Sequence, residues 1–371
     1  MFRASNLLKT IINDTPSRVL DGSIVIWNFT NRCNLSCLHC YSKADIDSND
    51  TLDIEIIKST IDEFIENKIK FIIFSGGEPL VRKDIFEIAQ YAKDKGIITY
   101  LSTNGLYINH SNAQRIVDTF DYIGISIDGD EITHDYFRGL KGSYRKSIDA
   151  MKLIQSKGGK VGIRFTITKT TIDSLEHIFA LSEKENFSKI YISHLVYSGR
   201  GLENLEMDLS KVERMKSVEY ILNKTFEYQE NGKDIEIVTG NMECDAIMFL
   251  KMVKKRYPHL VSKLVSRLSA WGGNSAGRKL VNIDSFGYVK PDPFFPFRLG
   301  NIQEQSFSDI WNDKKSLLLD RLRSERQISG KCTDCKYMFI CNGGSRSRAY
   351  AISGDLWGED PSCYLSEKEI A

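Results

Sequence analysis

From about residue 23 the chain alternates short apolar runs, rich in β-branched and aromatic residues, with longer stretches whose apolar positions recur every three or four residues. A period of two giving way to a period near 3.6, several times in succession, predicts parallel βαβ units. The predicted strands are 23–29 (SIVIWNF), 70–75 (KFIIFS), 98–103 (ITYLST), 122–127 (YIGISI), 161–168 (VGIRFTIT) and 189–196 (KIYISHLV). Helical stretches such as IEIIKSTIDEFIEN and SIDAMKLIQSKG lie between them. Six strands and five or six helices fit a doubly wound sheet or a partial (β/α)6 barrel.

The positions of the unusual residues favour the barrel, because barrel-type sheets carry their chemistry at the C-terminal ends of the strands. A cysteine loop follows the first predicted strand and Gly76–Gly77–Glu78–Pro79 the second. Thr103–Asn104–Gly105 follows the third and Asp128–Gly129 the fourth. After about residue 200 the alternation is expected to stop. Helical stretches at 209–229 and roughly 243–269 lead to a β-hairpin around Ser285–Phe286–Gly287. The expected organisation is an extension over 1–22, a barrel over 23–205, a helical and hairpin connection over 206–327, and a Cys-rich segment over 328–371 that needs a metal to fold.

Lys plus Arg number 50 against 49 Asp plus Glu, scattered along the chain, so no field favours nucleic acid or a membrane surface. No run of about 18 apolar residues is present, and the N-terminus does not read as a signal peptide. A soluble, cytoplasmic protein is expected. Of the eight cysteines, three sit at 33, 37 and 40 and four at 332, 335, 341 and 363, which in a reducing compartment reads as metal binding. Cys244 stands alone and reads as a small buried hydrophobe.

Cys33, Cys37 and Cys40 have C-x3-C-x2-C spacing, which lets three soft thiolates converge on one iron–sulfur cluster and leaves one iron open to chelate a small molecule. A zinc site with His39 as fourth ligand is the competing reading. Cys332, Cys335, Cys341 and Cys363 supply four thiolates, enough for either zinc or a fully ligated 4Fe-4S cluster.

The cysteine loop with Tyr41, followed by Ser75–Gly76–Gly77–Glu78–Pro79, resembles the radical S-adenosylmethionine (SAM) superfamily, and the C-terminal cysteines resemble its SPASM-type extension. The resemblance implies a 4Fe-4S cluster on Cys33, Cys37 and Cys40, SAM as cofactor, and an auxiliary 4Fe-4S cluster on the C-terminal four. It implies that Gly76, Gly77 and Pro79 approach SAM closely and that Glu78 accepts from its ammonium group. Ser102, Asn104, Ser126 and Asp128 are expected to face the ribose and methionine, with Arg164 meeting the carboxylate.

An ordered series of further stretches, among them SHLVYSGRG (193–201), AWGGNSAG (270–277), NIDSFGYVKPD (282–292) and LGNIQEQSFSDIW (299–311), resembles the NirJ subfamily of heme d1 biosynthesis. That likeness implies removal of two propionate side chains from 12,18-didecarboxysiroheme through a 5′-deoxyadenosyl radical, with a ferredoxin or flavodoxin as electron donor. The related AhbC and AhbD types imply side-chain removal or decarboxylation in siroheme-dependent heme synthesis. A peptide maturase is a further reading, disfavoured because 22 residues ahead of the first strand are too few for a winged-helix peptide-binding domain. A carboxylate-rich tetrapyrrole needs cations; Arg200, Arg278, Arg298, Arg346 and Arg348 are candidates, and His194, at the end of the sixth strand, is expected to face the substrate. Lys290 stands where the resemblance leads one to expect a histidine.

Overall fold

The computed structural model describes residues 1–16, 22–48 and 52–370; the remaining positions, 17–21 of the expected N-terminal extension among them, lie outside the described residues. Seven strands run parallel in sequence order: β1 (Ser23–Thr30), β2 (Ile69–Gly76), β3 (Ile98–Thr103), β4 (Tyr122–Ser126), β5 (Val161–Ile167), β6 (Lys189–His194) and β7 (Glu236–Gly240). A doubly wound sheet reverses its strand order partway. This one does not, and its edges stay open, so it is a partial barrel. All six predicted strands are present.

The seventh parallel strand was not expected. At five residues, EIVTG is too short to declare a period, and it follows a helix of 20 residues rather than a compact crossover. The expected hairpin forms from β8 (Leu280–Ile283) and β9 (Tyr288–Lys290), and β8 joins the other edge of the sheet in parallel beside β1. A two-residue β10 (Gly300–Asn301) completes the ten-stranded order.

Helices α1 (Ala4–Ile12), α2 (Ile54–Glu66), α3 (Ile85–Asp94), α4 (Ala113–Thr119), α5 (Glu131–Arg138), α6 (Ser143–Ser156) and α7 (Leu175–Glu185) precede β6. After it come α8 (Arg200–Glu203), α9 (Lys211–Glu230), α10 (Asp245–Arg256) and α11 (Val261–Trp271). Their ends carry local stop and start signals. Asp53 accepts from Glu55 N to cap α2, Ser210 and Glu213 form a capping box on α9, and Gly139 ends α5 in the left-handed conformation at φ 72°.

Strand alternation sorts side chains between two environments. Val25, Trp27 and Phe29 of β1, Ile72 and Phe74 of β2, and Ile190 and Ile192 of β6 are buried in the main core under the helices. Trp27 stacks on Phe29 at 4.8 Å and Phe29 on Phe74 at 4.5 Å. Their neighbours one residue along, Ile24 and Ile26, Ile73 and Ser75, Tyr191 and Ser193, line a cavity on the opposite face. A second core joins α1, α9, α10 and α11 to the C-terminal segment.

Candidate active site

The cavity has a volume of about 400 Å³, within the ordinary range of small-molecule sites of roughly 300–1,000 Å³. Cys33, Cys37 and Cys40 line it near the C-terminal ends of the strands; Gly22 and Ile24, at the start of β1, line its far end. It therefore runs the length of the sheet's inner face.

The cysteine loop is held by backbone pairing on both sides. Cys33 N donates to Asp45 O at 2.9 Å and Cys40 N to Cys37 O at 3.3 Å. Gly77 N donates to Thr30 O and Glu78 N to Arg32 O, each at 2.8 Å, so the Gly76–Gly77–Glu78 segment pairs with the start of the loop. That explains the two glycines. A Cβ on Gly76 would sit 2.2 Å from Thr30 O, and one on Gly77 would sit 2.2 Å from Arg32 O.

Cys37 and Cys40 bear electrostatically on Cys33, whose thiol burial pushes up to about 12, although among the described residues no three His, Cys, Asp or Glu side chains are gathered as a ready metal site. Arg138 Nη1 stands 3.6 Å from Cys37 Sγ, and Arg200 Nε donates to Cys37 O at 2.7 Å. Three soft thiols of one loop at the wall of a cavity, with a cationic donor beside one of them, are the donor set of a cluster held by three ligands.

Three of the expected SAM contacts, Glu78, Pro79 and Asp128, do not reach the cavity. Glu78 is fully buried, and both its oxygens are taken: Oε1 accepts from Thr103 Oγ1 at 2.8 Å and Leu80 N at 3.1 Å, and Oε2 from Asn104 N at 2.8 Å. Burial pushes its carboxyl up to about 7 against those bonds. Glu78 thus joins the loops after β2 and β3 and is turned to Thr103, Leu80 and Asn104 rather than into the cavity. Pro79 is buried at the start of a short 3-10 turn.

Asp128 is likewise fully buried, ion-paired with Arg138 and accepting from Thr166 N at 2.7 Å. Arg138, which the sequence did not single out, lines the cavity in its place. Tyr41, Gly76, Gly77, Ser102, Asn104, Ser126 and Arg164 do line it. Tyr41 donates to Asn28 Oδ1 at 3.0 Å, and Ser126 is the register partner of Arg164. The Arg164 guanidinium lies 4.7 Å from the Tyr191 ring centroid and has no carboxylate partner among the described residues.

The arginines expected to meet substrate are otherwise engaged. Arg346 is fully buried against the carbonyls of Leu356 and Gly358, Arg348 is fully buried against Asp360 at 2.7 Å, and Arg278 donates to Gly272 O. Arg298 stacks on Tyr288 at 3.6 Å. Arg200 reaches the cavity, but its side chain is spent on the carbonyls of Cys37 and Ala44. The other cations lining it, toward the far end, are Lys279, Arg3, which is ion-paired with Glu236, and Arg267, which donates to Thr10 Oγ1 and Thr15 O. Lys290 pairs with Asp284 across the hairpin turn.

Sequence spacing also gave no hint of Glu243 and Asp292, which line the cavity. Asp292 is pushed up to about 6 by burial, and Glu243 keeps Oε2 buried without a partner while Oε1 accepts from Asn274 at 3.1 Å.

The second cysteine group forms a compact unit. Cys332, Cys335 and Cys363 all bear electrostatically on Cys341, which lies at the end of the short helix Met338–Cys341. Cys244 is buried in the second core, as expected, and its thiol lies near enough to Cys363 to lower the Cys363 thiol below its ordinary value. Four soft thiols on one segment are the donor set of a closed four-thiolate site. Among the described residues no helix is long and apolar enough to cross a membrane.

A model of the radical SAM superfamily matches residues 27–181, and one described as the SPASM iron-sulfur cluster-binding domain matches residues 275–336. The pre-heme d1 synthase of Dinoroseobacter shibae is 38% identical over all of this chain and 93% of its own length. The Fe-coproporphyrin III synthase of Methanosarcina barkeri is 37% identical over 96% of this chain and 92% of its own. Among solved structures, Streptococcus suis SuiB bound to S-adenosylmethionine superposes with a TM-score of 0.73 at 17% identity, covering 93% of this chain and 78% of that one, a likeness of fold alone.

Proposed function

The chain belongs to the radical SAM superfamily and carries a SPASM domain, and on that premise we propose that it removes two propionate side chains from 12,18-didecarboxysiroheme on the way to heme d1. A 4Fe-4S cluster, SAM and an auxiliary iron–sulfur cluster are its cofactors, and heme-related biosynthesis is its setting. When bound, the cluster and SAM supply a 5′-deoxyadenosyl radical able to abstract a hydrogen atom from a substrate side chain.

This chain's own residues hold, orient and shield. Cys33, Cys37 and Cys40 hold the cluster, and Cys332, Cys335, Cys341 and Cys363 the auxiliary one. Arg164, lacking an anionic partner, receives the SAM carboxylate, while Ser102, Asn104, Ser126 and Tyr41 form the wall beside it. Glu78 and Asp128 act from behind that wall, fixing the loops on which these groups stand. A ferredoxin or flavodoxin delivers the electrons.

The observation that carries the reading is the single cavity joining the Cys33–Cys37–Cys40 wall to a distal region lined by Arg267, Lys279 and Arg3, the last already paired with Glu236. A flat apolar macrocycle bearing several carboxylates calls for an apolar floor, here Ile24, Ile26 and Trp271, with cations at its rim. Removal of acetate groups is the second reading, favoured by the nearly equal likeness to Fe-coproporphyrin III synthase.

Anaerobic incubation of the reconstituted protein with SAM, a reductant and 12,18-didecarboxysiroheme, followed by mass spectrometry, separates the two. Loss of two propionates together with 5′-deoxyadenosine is expected. Loss of acetates would assign the second reading, and an unchanged tetrapyrrole would refute both.

A further inference from the structure

His194 ends β6, lines the cavity and is 1% exposed. Its Nε2 lies 3.1 Å from Asp245 Oδ2, and the other oxygen of that fully buried carboxylate accepts from Tyr364 OH, also at 3.1 Å. A carboxylate that already accepts from a tyrosine remains an acceptor toward the imidazole, so Nε2 carries the hydrogen and Nδ1 presents its lone pair. That Nδ1 is buried and has no hydrogen-bond partner. A buried polar atom left unpaired costs roughly 1–3 kcal/mol. A lone pair left free on one nitrogen while the other donates to a carboxylate is how proteins prepare histidine as a metal ligand, because the carboxylate fixes tautomer and ring angle and raises the donor strength.

We propose that His194 Nδ1 is the axial ligand to the iron of an iron-tetrapyrrole substrate, with Asp245 and Tyr364 as positioning residues. The inference rests on the tetrapyrrole reading above and adds what that reading leaves open: how the macrocycle is oriented in the cavity. Carboxylate-to-cation contacts at the rim fix a flat ring only loosely, since side chains on several edges are alike. An axial bond from the end of β6 fixes the ring's height and face and so limits which side chains can swing toward the Cys33–Cys37–Cys40 wall.

His39 is the other histidine lining the cavity, and it also has an unpartnered Nδ1. It lies flat on Phe137, with ring centroids 4.3 Å apart, and Arg138 and Arg200 bear on it electrostatically. Neighbouring cations weaken an imidazole as a donor to a metal ion, whereas a carboxylate strengthens it. The geometry therefore favours His194.

The test uses the full-length protein with both clusters in place and without SAM. Ferric coproporphyrin is titrated in while the visible spectrum and the iron EPR signal are followed; metal-free coproporphyrin, followed by fluorescence quenching, reports ring binding independently of the iron. The wild type is expected to give the signature of nitrogen-ligated iron. His194→Ala is expected to lose that signature while binding the metal-free ring as the wild type does, and added imidazole is expected to restore it. Asp245→Asn, which leaves the ligand present, is expected to weaken iron-coproporphyrin binding by ~10–100-fold with little change for the metal-free ring.

If His194→Ala keeps the wild-type iron spectrum, the ligand assignment falls and the tetrapyrrole reading stands. If the wild type binds neither ring, both fall. Should His194→Ala prove unfolded by circular dichroism, Asp245→Asn decides: equal weakening for both rings, or none for either, overturns the assignment.

Discussion

Arg138 stands between two partners, ion-paired to the buried Asp128 on one side and 3.6 Å from the Sγ of Cys37 on the other. It thus carries a charge from the end of β4 to a thiolate of the cluster loop, and it exists in that position because Asp128 holds it there.

Replacing it tests both halves of that bridge. Arg138→Met leaves the Asp128 carboxylate buried without its cation, a change that costs about 3–5 kcal/mol in comparable pairs. It also removes a donor and a positive charge from beside a cluster sulfur, which lowers a cluster's reduction potential. Chemical denaturation should show the lost stability, and an EPR-monitored redox titration should show the couple moved to lower potential. An unchanged potential would mean that Arg138 does not act on the Cys37 thiolate.

Glu78 makes stability depend on pH in a direction opposite to the usual carboxylate. Its folded value of about 7 lies above its ordinary 4.5, so the folded state binds its proton more tightly than the unfolded chain does. Its contribution is fully present below about 4.5, declines as pH rises and is lost above about 7, amounting to about 3 kcal/mol in all. Glu78→Gln should flatten that part of the curve measured as urea midpoints from pH 5 to pH 8. The variant also loses the acceptor facing Asn104 N, so it should be less stable than the wild type by about 1–3 kcal/mol at pH 5, a gap that closes as pH rises and the wild type loses the Glu78 contribution.

Gly77→Ala should expel the cluster rather than unfold the protein. The added methyl would meet Arg32 O at 2.2 Å, and relief requires the cysteine loop to part from the segment after β2. Iron and sulfide assays after reconstitution should show cluster content well below wild type, while far-ultraviolet circular dichroism stays close to it. Full iron content would refute the close-approach account.

A direct metal count tests the ligands of the auxiliary cluster. Cys341→Ala removes the thiol on which Cys332, Cys335 and Cys363 all bear. Iron should fall by about four per chain, with no change in zinc, and the segment should become sensitive to protease as its metal-dependent fold is lost. Loss of one zinc with iron unchanged would make the site a zinc site.

The strands, their parallel pairing and the two cysteine groups were legible in the sequence, because each rests on a local signal. Period-two alternation places Ile24 and Ile26 opposite Val25 and Trp27 whatever lies elsewhere, and C-x3-C-x2-C spacing confines three thiols to one loop. Gly76 and Gly77 were visible too, although their work is close packing against Thr30 and Arg32 rather than room for a ligand alone. The strand β7 escaped because five residues cannot establish a period. What only the tertiary structure decided is which polar groups are already satisfied. Glu78, Asp128 and Arg348 read like ligand contacts, yet their charges are consumed inside the protein by Asn104, Arg138 and Asp360. His194 keeps a free nitrogen only because Asp245 and Tyr364, distant in the chain, come to lie behind it. Local pattern fixes which side chain points where; the cost of burying a charge or donor unpaired is settled by partners that folding brings together.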